Sequence, residues 1–341
     1  MILLVLVNDV AGLEPKQTTT RIVDIALKRG HEVLLLDLEA LYVGPDGVPC
    51  ANARDLTGAR YQSDPELVAA ATSAPRRRLP LVEADVLLMR TNPGRDRGRR
   101  EAHGLALRLI SSAANLGLPV LNGPDGLFRA ASKRYLLEFP AEVRPTTYVA
   151  NDIELLIEFV RELDGPAVIK PVCGSRGMDV FRVESADDKN LRQIGDVVLR
   201  DGFAMVQNFV PEAVDGDTRV LVLEGKLLEL DGHPGAFRRI PTGADFRSNV
   251  DVGGKTAPAE LRPGMRRAVE LMGPKLVQDG LFLVGLDFIG DKVCEVNAYS
   301  PGGLRAARKF EGADFTTYFL ERVEARARPS GAELVRSAAQ E

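Results

Sequence analysis

The sequence predicts an α/β fold that passes into α+β after the first third of the chain. Two observations carry this. Strand and helix patterns alternate over residues 1–121, the rhythm of a small parallel sheet with helices on its faces. From 204 to 297 the patterns are mostly strand and close on an antiparallel hairpin. Composition agrees: of 341 residues, 45% are hydrophobic and 27% charged, the balance of an ordinary soluble globular protein. That length predicts roughly two or three domains, read here as 1–122, 123–203 and 204–341.

The elements follow in order. Met1–Val7 is an apolar run stopped by Asn8-Asp9. It is too short for a membrane span and has neither a basic leader region nor a cleavage site, so a buried parallel strand and a cytoplasmic location are expected. Thr18–Arg29 is a helix that presents Ile22, Ile25 and Ala26 on one face and ends at Gly30. Strands are expected at Glu32–Leu38, Ala84–Met89 and Pro119–Leu121, with a helix at His103–Leu116; residues 44–80 show no clear pattern. Such sheets bind ligands beyond the carboxyl ends of their strands, here near 8–18 and 90–98. Asn122–Gly126 is a turn cluster and a boundary. Beyond it come a helix at about 127–138, a strand at Pro145–Val149, a helix at Asp152–Glu162 and a strand at Ala167–Lys170. A glycine loop, Pro171–Gly177, leads to a strand at Val180–Val183 and a helix at 187–200. Strands are then expected at Ala204–Phe209, Thr218–Leu223 and Lys226–Gly232, a loop at 235–255 and a helix at 260–279. Phe282–Ile289 and Lys292–Asn297 form the hairpin, and Thr316–Ala327 is a closing helix.

Several function classes are disfavoured. With 44 Lys+Arg against 48 Asp+Glu the net charge is −4, which supplies no attraction to nucleic acid or an anionic membrane. The basic runs Arg76–Arg78 and Arg95–Arg100 are not interleaved with aromatics. Three scattered cysteines make neither a disulfide framework nor a zinc site. Three histidines leave few candidates for a histidine metal centre or triad.

The residues that carry chemistry are modest one by one. Asp287, Glu295 and Asn297 are oxygen ligands on the hairpin, suited to a hard cation such as Mg²⁺. Side chains alternate along a strand, so Glu295 and Asn297 share a face. Asp287 joins them only if the connection is a three-residue loop, Gly290-Asp291-Lys292, or contains a bulge; the alternative is an edge hairpin with solvated acids. Lys170 ends an apolar strand ahead of Gly174-Ser175-Arg176-Gly177, a loop whose backbone N–H groups could cradle phosphate, or which could be a plain turn. It matches neither GxxxxGK[ST] nor GxGxxG. Lys133 reads alone as a surface helix lysine. Gln207-Asn208-Phe209-Val210 is an edge-strand end that could meet a purine edge. Asp217 and Arg219 share a strand face. Arg238, Arg239, Arg247 and Asn249 lie in a loop suited to phosphate or carboxylate.

Their order is more specific than any member. Lys-Pro at 170–171, Gln-Asn at 207–208, Asp-Gly-Asp-x-Arg at 215–219, Arg-Ile-Pro at 239–241 and Arg-x-Asn at 247–249 come in sequence. Val-Gly-Leu-Asp at 284–287 and Glu-x-Asn-x-x-Ser-Pro at 295–301 complete it. In these residues the chain resembles the ATP-grasp superfamily and, within it, prokaryotic glutathione synthetase. The resemblance implies an ATP-grasp fold behind an N-terminal parallel-sheet domain, and ATP with Mg²⁺ or Mn²⁺ as cofactors. It implies that Lys133, Lys170, Gly174, Ser175 and Gly177 meet the ATP phosphates. Gln207, Asn208, Phe209 and Val210 would hold the adenine, and Asp217 would lie on the ribose side. Arg219, Arg239 and Asn249 would line the site of phosphoryl transfer. Asp287, Glu295 and Asn297 would hold the metal, and Arg90, Asn92, Asp96, Arg247, Ser300 and Gly302 would meet substrate. The implied reaction phosphorylates a carboxylate with ATP and lets an amine displace the phosphate, giving glutathione from γ-glutamylcysteine and glycine. Small-molecule substrates and a tetramer are implied partners. The family pattern Arg-Lys-Asp-Pro-Pro-Phe-Asp appears here as Arg90-Thr-Asn-Pro93-Gly-Arg-Asp96, and Thr-Ser-Pro-Thr-Cys as Tyr299-Ser-Pro-Gly-Gly303. A different dipeptide and amine, or a non-catalytic ATP-binding regulator, are the alternative readings.

Overall fold

The computed structural model describes residues 1–163, 165–174, 177–200, 202–241 and 255–328. The first lobe contains β1 (Ile2–Leu6), α1 (Thr18–Lys28), β2 (Glu32–Leu36), β3 (Leu41–Val43), β4 (Pro49–Asp55), α2 (Asp64–Ser73), β5 (Arg76–Pro80), β6 (Val86–Met89), α3 (Arg100–Asn115) and β7 (Val120–Leu121). Strands β2, β1, β6 and β7 run parallel, side by side. Strands β3, β4 and β5 add antiparallel pairs beyond β2. Both faces of the parallel part are covered: Leu4, Leu34 and Leu87 enter one core, and Leu3, Val33 and Leu88 another. That is why β1 is apolar at every position. The stretch 44–80 is not patternless after all. Strand β5 is Arg-Arg-Arg-Leu-Pro and gains its form from pairing with β4, a long-range choice that local hydrophobicity does not announce.

The second lobe begins with α4 (Pro124–Arg129). The single helix expected at 127–138 is broken. The backbone N–H of Lys133 donates to Val172 at 2.9 Å, and a 3₁₀ helix runs from Lys133 to Glu138 instead. Then come β8 (Thr147–Ala150), α5 (Ile153–Glu162), β9 (Ala167–Pro171), β10 (Phe181–Val183), α6 (Leu191–Val198) and β11 (Ala204–Asn208). Helix α5 starts at Asp152, whose side chain accepts from the N–H groups of Glu154 and Leu155. The sheet order is β10-β9-β11-β8, over a core of its own that includes Leu156, Ile169 and Val206. Two expectations change here. Strand β11 is central, not an edge, and it pairs with β9 and β8. The lobe therefore continues past the boundary drawn at 203/204.

The third lobe contains β12 (Asp217–Leu223), β13 (Lys226–Leu227), β14 (Glu229–Leu230), β15 (His233–Pro234), β16 (Ala236–Ile240), β17 (Lys255–Ala257), α7 (Pro263–Gln278), β18 (Leu283–Ile289), β19 (Lys292–Asn297), α8 (Leu304–Glu311) and α9 (Phe315–Glu324). The strand expected at 226–232 is split into β13 and β14, and α8 adds an unanticipated helix. The antiparallel order is β17-β16-β12-β18-β19. This sheet shares cores with the first lobe: Leu4 and Met89 join Val222, Met272 and Leu286. Asn122 fastens the two lobes. Its amide donates to the carbonyls of Leu283 and Ala298, and its oxygen accepts from the N–H groups of Phe282 and Leu283, all at 2.8 Å. Among the described residues no helix is long and apolar enough to cross a membrane.

Candidate active site

One face of the third sheet changes character along its length. On β12, Leu221 and Leu223 enter the core, while Arg219 and Asp217 continue the same face as charged groups. Register aligns the neighbours: Asp217 opposes Arg239 on β16, and Arg219 opposes Asp287 on β18. Arg239 thus lies on a strand, not in the loop expected at 235–255. Gly216 permits this pairing, since a Cβ there would stand 2.1 Å from the carbonyl oxygen of Arg239.

The hairpin supplies the remaining groups. Gly290-Asp291 is a tight turn, and the register shifts by one residue between Asp287 and Phe288. Cys294 is the extra residue. The bulge, not a longer loop, sets Asp287 opposite Glu295 and Gly285 opposite Asn297. Gly285 leaves room for Arg219, whose Cδ would lie 2.9 Å from a Cβ at that position.

Asp287 is the hub. Arg219 donates to both its oxygens, Arg239 reaches Oδ2 at 2.8 Å, and the Asn297 amide donates to Oδ2 at 3.1 Å. Burial pushes this carboxyl up, but the two guanidiniums outweigh burial and hold it well below the usual carboxylate range. Arg239 also donates to Asp217 at 2.6 Å. Burial draws Arg239 down, and Asp287 and Asp217 more than offset it.

Two lysines face this set. Lys170 is buried, its Nζ 3.5 Å from the Cys294 carbonyl oxygen, and burial lowers its ammonium below the ordinary lysine value. Lys133 Nζ donates to the Gly174 carbonyl at 2.9 Å and lies 4.0 Å from Glu295 Oε1. Lys133 is therefore an inward group at the head of a 3₁₀ helix, not a surface helix lysine. A cavity of about 160 Å³ opens between the second and third lobes, with Lys170, Gln207, Phe209, Asp217, Asp287 and Glu295 among its lining residues. Val210, Asn208 and Gly177 line it too. Gln207 donates to the Thr147 hydroxyl at 2.9 Å. Burial pushes the Cys294 thiol up to about 12, so the cysteine at the cavity wall stands protonated.

The oxygen donors fit Mg²⁺. Two carboxylates and one amide meet on one sheet face, with no soft ligand in the set. Among the described residues no group of three or more His, Cys, Asp or Glu could hold a metal. A cation here needs further oxygens, which nucleotide phosphates carry.

Three of the expected substrate residues, Arg90, Asn92 and Asp96, lie at the carboxyl end of the first sheet. Arg90 follows β6, is buried, and donates to the Thr19 hydroxyl and the Pro301 carbonyl, both at 3.1 Å. With no carboxylate among these partners, burial lowers it to about 10. Asn92 and Asn8 hold each other reciprocally, at 2.6 and 3.0 Å. Asp96 accepts from Arg99 and bonds His103 at 3.0 Å. Burial works to raise the Asp96 carboxyl, but these bonds hold it low. Ser300, at φ +45°, and Gly302 follow β19 beside the Arg90 contact at Pro301. Asn8, Thr19, Arg99 and His103 were missed from sequence; only the position of Asn8 and Thr19 beyond the β1 carboxyl end could have pointed to them. Ser175, Arg247 and Asn249 lie outside the described residues.

Comparisons with known proteins agree with this architecture. The family profile described as prokaryotic glutathione synthetase, N-terminal domain, matches residues 1–127, and that of the ATP-grasp domain matches 132–312. The glutathione synthetase of Synechococcus elongatus is 31% identical over 331 residues, 94% of this chain and 97% of that protein. That of Brucella melitensis is 31% identical over 88% of this chain and 91% of its own length. The Synechocystis enzyme is 40% identical over 195 residues, 57% of this chain and 58% of that protein. Among solved structures, the D-cycloserine synthetase DcsG superposes with a TM-score of 0.60 at 17% identity, covering 94% of this chain and 99% of that one. The ATP-grasp ligase PsnB with its minimal precursor gives 0.59 at 19%, covering 95% and 98%. These two share the fold. The chain belongs to the prokaryotic glutathione synthetase family and is an ATP-grasp ligase, forming a C–N bond at the expense of ATP.

Proposed function

We propose that this ligase makes glutathione from γ-glutamylcysteine, glycine and ATP, with the phosphoryl chemistry on the charged face of the third sheet. The single observation that carries the assignment of residues is the bulge at Asp287, which sets Glu295 and Asn297 on the face where Asp287 already holds Arg219 and Arg239, opposite Lys170 and Lys133. In this reading the γ-phosphoryl group passes from ATP to the dipeptide carboxylate, releasing ADP. The glycine amine then attacks the acyl carbon; the C–O bond to phosphate breaks and the amine gives up a proton. Lys133 and Lys170 hold the nucleotide phosphates, and Lys170, desolvated in the apo site, regains its charge preference against them. Arg219 and Arg239, fixed by Asp287 and Asp217, present guanidinium edges to the oxygens that gain charge. Gln207 to Val210 border the base. Arg90, buried beside Pro301, receives a carboxylate of the dipeptide. Asp287, Glu295 and Asn297 would hold Mg²⁺, which when bound offsets phosphate charge; Mn²⁺ takes the same donors and is expected to substitute. No protein nucleophile is required, and the protonated Cys294 supplies none.

The working compartment in this reading is the cytoplasm and the assembly a tetramer, the latter checked by sedimentation. The decisive assay supplies ATP, Mg²⁺, γ-glutamylcysteine and glycine and follows phosphate and glutathione. Both should appear together. Turnover confined to another dipeptide and amine in a screen would reassign the substrates; tight ATP binding with no turnover on any pair would make the chain a regulator.

A further inference from the structure

The loop after β6 is built to deliver one cation across the cleft. It consists of two consecutive 3₁₀ turns, Pro93–Arg95 and Arg97–Arg99. Residues on both sides of Arg97 are pinned to the first lobe. Asp96 is held by Arg99 and by His103, and Arg99 also donates to the Asn8 carbonyl at 3.1 Å. Arg97 itself is exposed, and no carboxylate among the described residues pairs with it. Its guanidinium crosses to the second lobe and lies 3.1 Å from the point a Cβ would occupy on Gly174. Lys133 Nζ lies 3.8 Å from the same point. Two cations from different lobes therefore stand against one glycine. Glu295 already stands 4.0 Å from Lys133, whereas no carboxylate among the described residues pairs with Arg97, so the pair keeps an excess positive charge that a further anion would offset. The lack of a side chain at Gly174 is what lets both approach.

We propose that Arg97 is a further catalytic residue, a guanidinium from the substrate-side lobe that binds the phosphoryl group in transit at Gly174. The proposal rests on reading Lys133 and the glycine loop as the phosphate side of the site. A planar fork suits an equatorial pair of phosphoryl oxygens, where the Lys133 ammonium is only a point charge. The contact depends on the 93–99 loop being seated, so it ties phosphoryl transfer to the lobe that carries Arg90.

The test uses the full chain and the variants Arg97→Gln and Arg97→Lys. Arg97 is exposed, so both should fold, which melting curves check. Removing one donor to a transition-state oxyanion costs about 10²–10³-fold where the site is dry, and roughly 10–100-fold in kcat is expected for Arg97→Gln at this more open position. KM for ATP and for the dipeptide should stay near wild type. Arg97→Lys should recover part of the rate, and added guanidinium ion should partly rescue Arg97→Gln. A raised dipeptide KM at unchanged kcat would overturn the proposal and make Arg97 a grip on the substrate carboxylate. A second readout is independent of the substrate pair. ADP with aluminium fluoride, a mimic of the phosphoryl group in transit, should bind wild type more tightly than ADP alone, and Arg97→Gln should lose that gain. An undiminished gain in Arg97→Gln overturns the proposal, whereas a wild type that traps the mimic but makes no glutathione overturns only the substrate assignment.

Discussion

The first and third sheets solve the same problem differently. Each holds a set of charged groups in place. The third sheet does so on strands: Arg219, Arg239 and Asp287 are fixed by register and by one another, and all are buried. The first sheet does so on the loops beyond its carboxyl ends, where Asn8 with Asn92, and Asp96 with Arg99 and His103, brace one another. The difference teaches where variation is tolerated. A strand residue cannot change without stranding a buried partner. A loop residue can change if its own small brace is rebuilt, and both departures from the family's usual residues, at 90–96 and at 299–303, lie in loops.

Even within the third sheet the two carboxylates differ, and the largest expected effects exploit this. The Asp287 side chain is 6% exposed and that of Glu295 36%. Asp287→Ala and Glu295→Gln should both reduce phosphate release by about 10³-fold or more, the scale of losing an electrostatic element of transfer. Only Asp287→Ala should also destabilise the fold, by about 3–5 kcal/mol, because it leaves the buried Arg219 without its carboxylate and Arg239 with Asp217 alone. Equal denaturation midpoints for the two variants would erase the distinction. Next in size, Arg90→Ala should raise the dipeptide KM by about 10–100-fold, the worth of a charged hydrogen bond, with KM for ATP unchanged. A change in the ATP term alone would move Arg90 to the other sheet's business. Gly285→Ala tests packing under the same face. Its methyl meets Arg219, and a loss of about 1–3 kcal/mol is expected in urea titrations. The smallest effect is on pH. Asp287 is depressed in the folded state, so its contribution is present above the unfolded aspartate value of about 3.9 and fades as pH falls through the lower folded value. Stability measured down an acid series should fall less steeply in Asp287→Asn than in wild type.

Much of this was legible in the linear chain because it is local. The run Met1–Val7 announced a strand buried on both faces, and the apolar run before Lys170 announced the strand that carries it. Other parts were hidden for equally physical reasons. Strand β16 contains Phe237-Arg238-Arg239, and its charge content read as a loop; the strand exists because Arg239 meets Asp217 and Asp287. Strand β5 is nearly all arginine and depends on β4. The centre position of β11 follows from which strands flank it, a fact no window of sequence contains. Lys133 looked like any helix lysine until the chain bent at Val172 and turned it toward Gly174.

The sequence by itself determined which groups exist and in what order, and that Glu295 and Asn297 share a face, because side-chain alternation is a local property with period two. It left Asp287 undecided between the faces of the hairpin. Only the tertiary structure decided that, through one extra residue at Cys294, and only it brought Arg97 and Lys133 to the same glycine. Register and inter-lobe approach are set by segments far apart in the chain competing for one packing, and a strand's own residues do not record the offset of its neighbour.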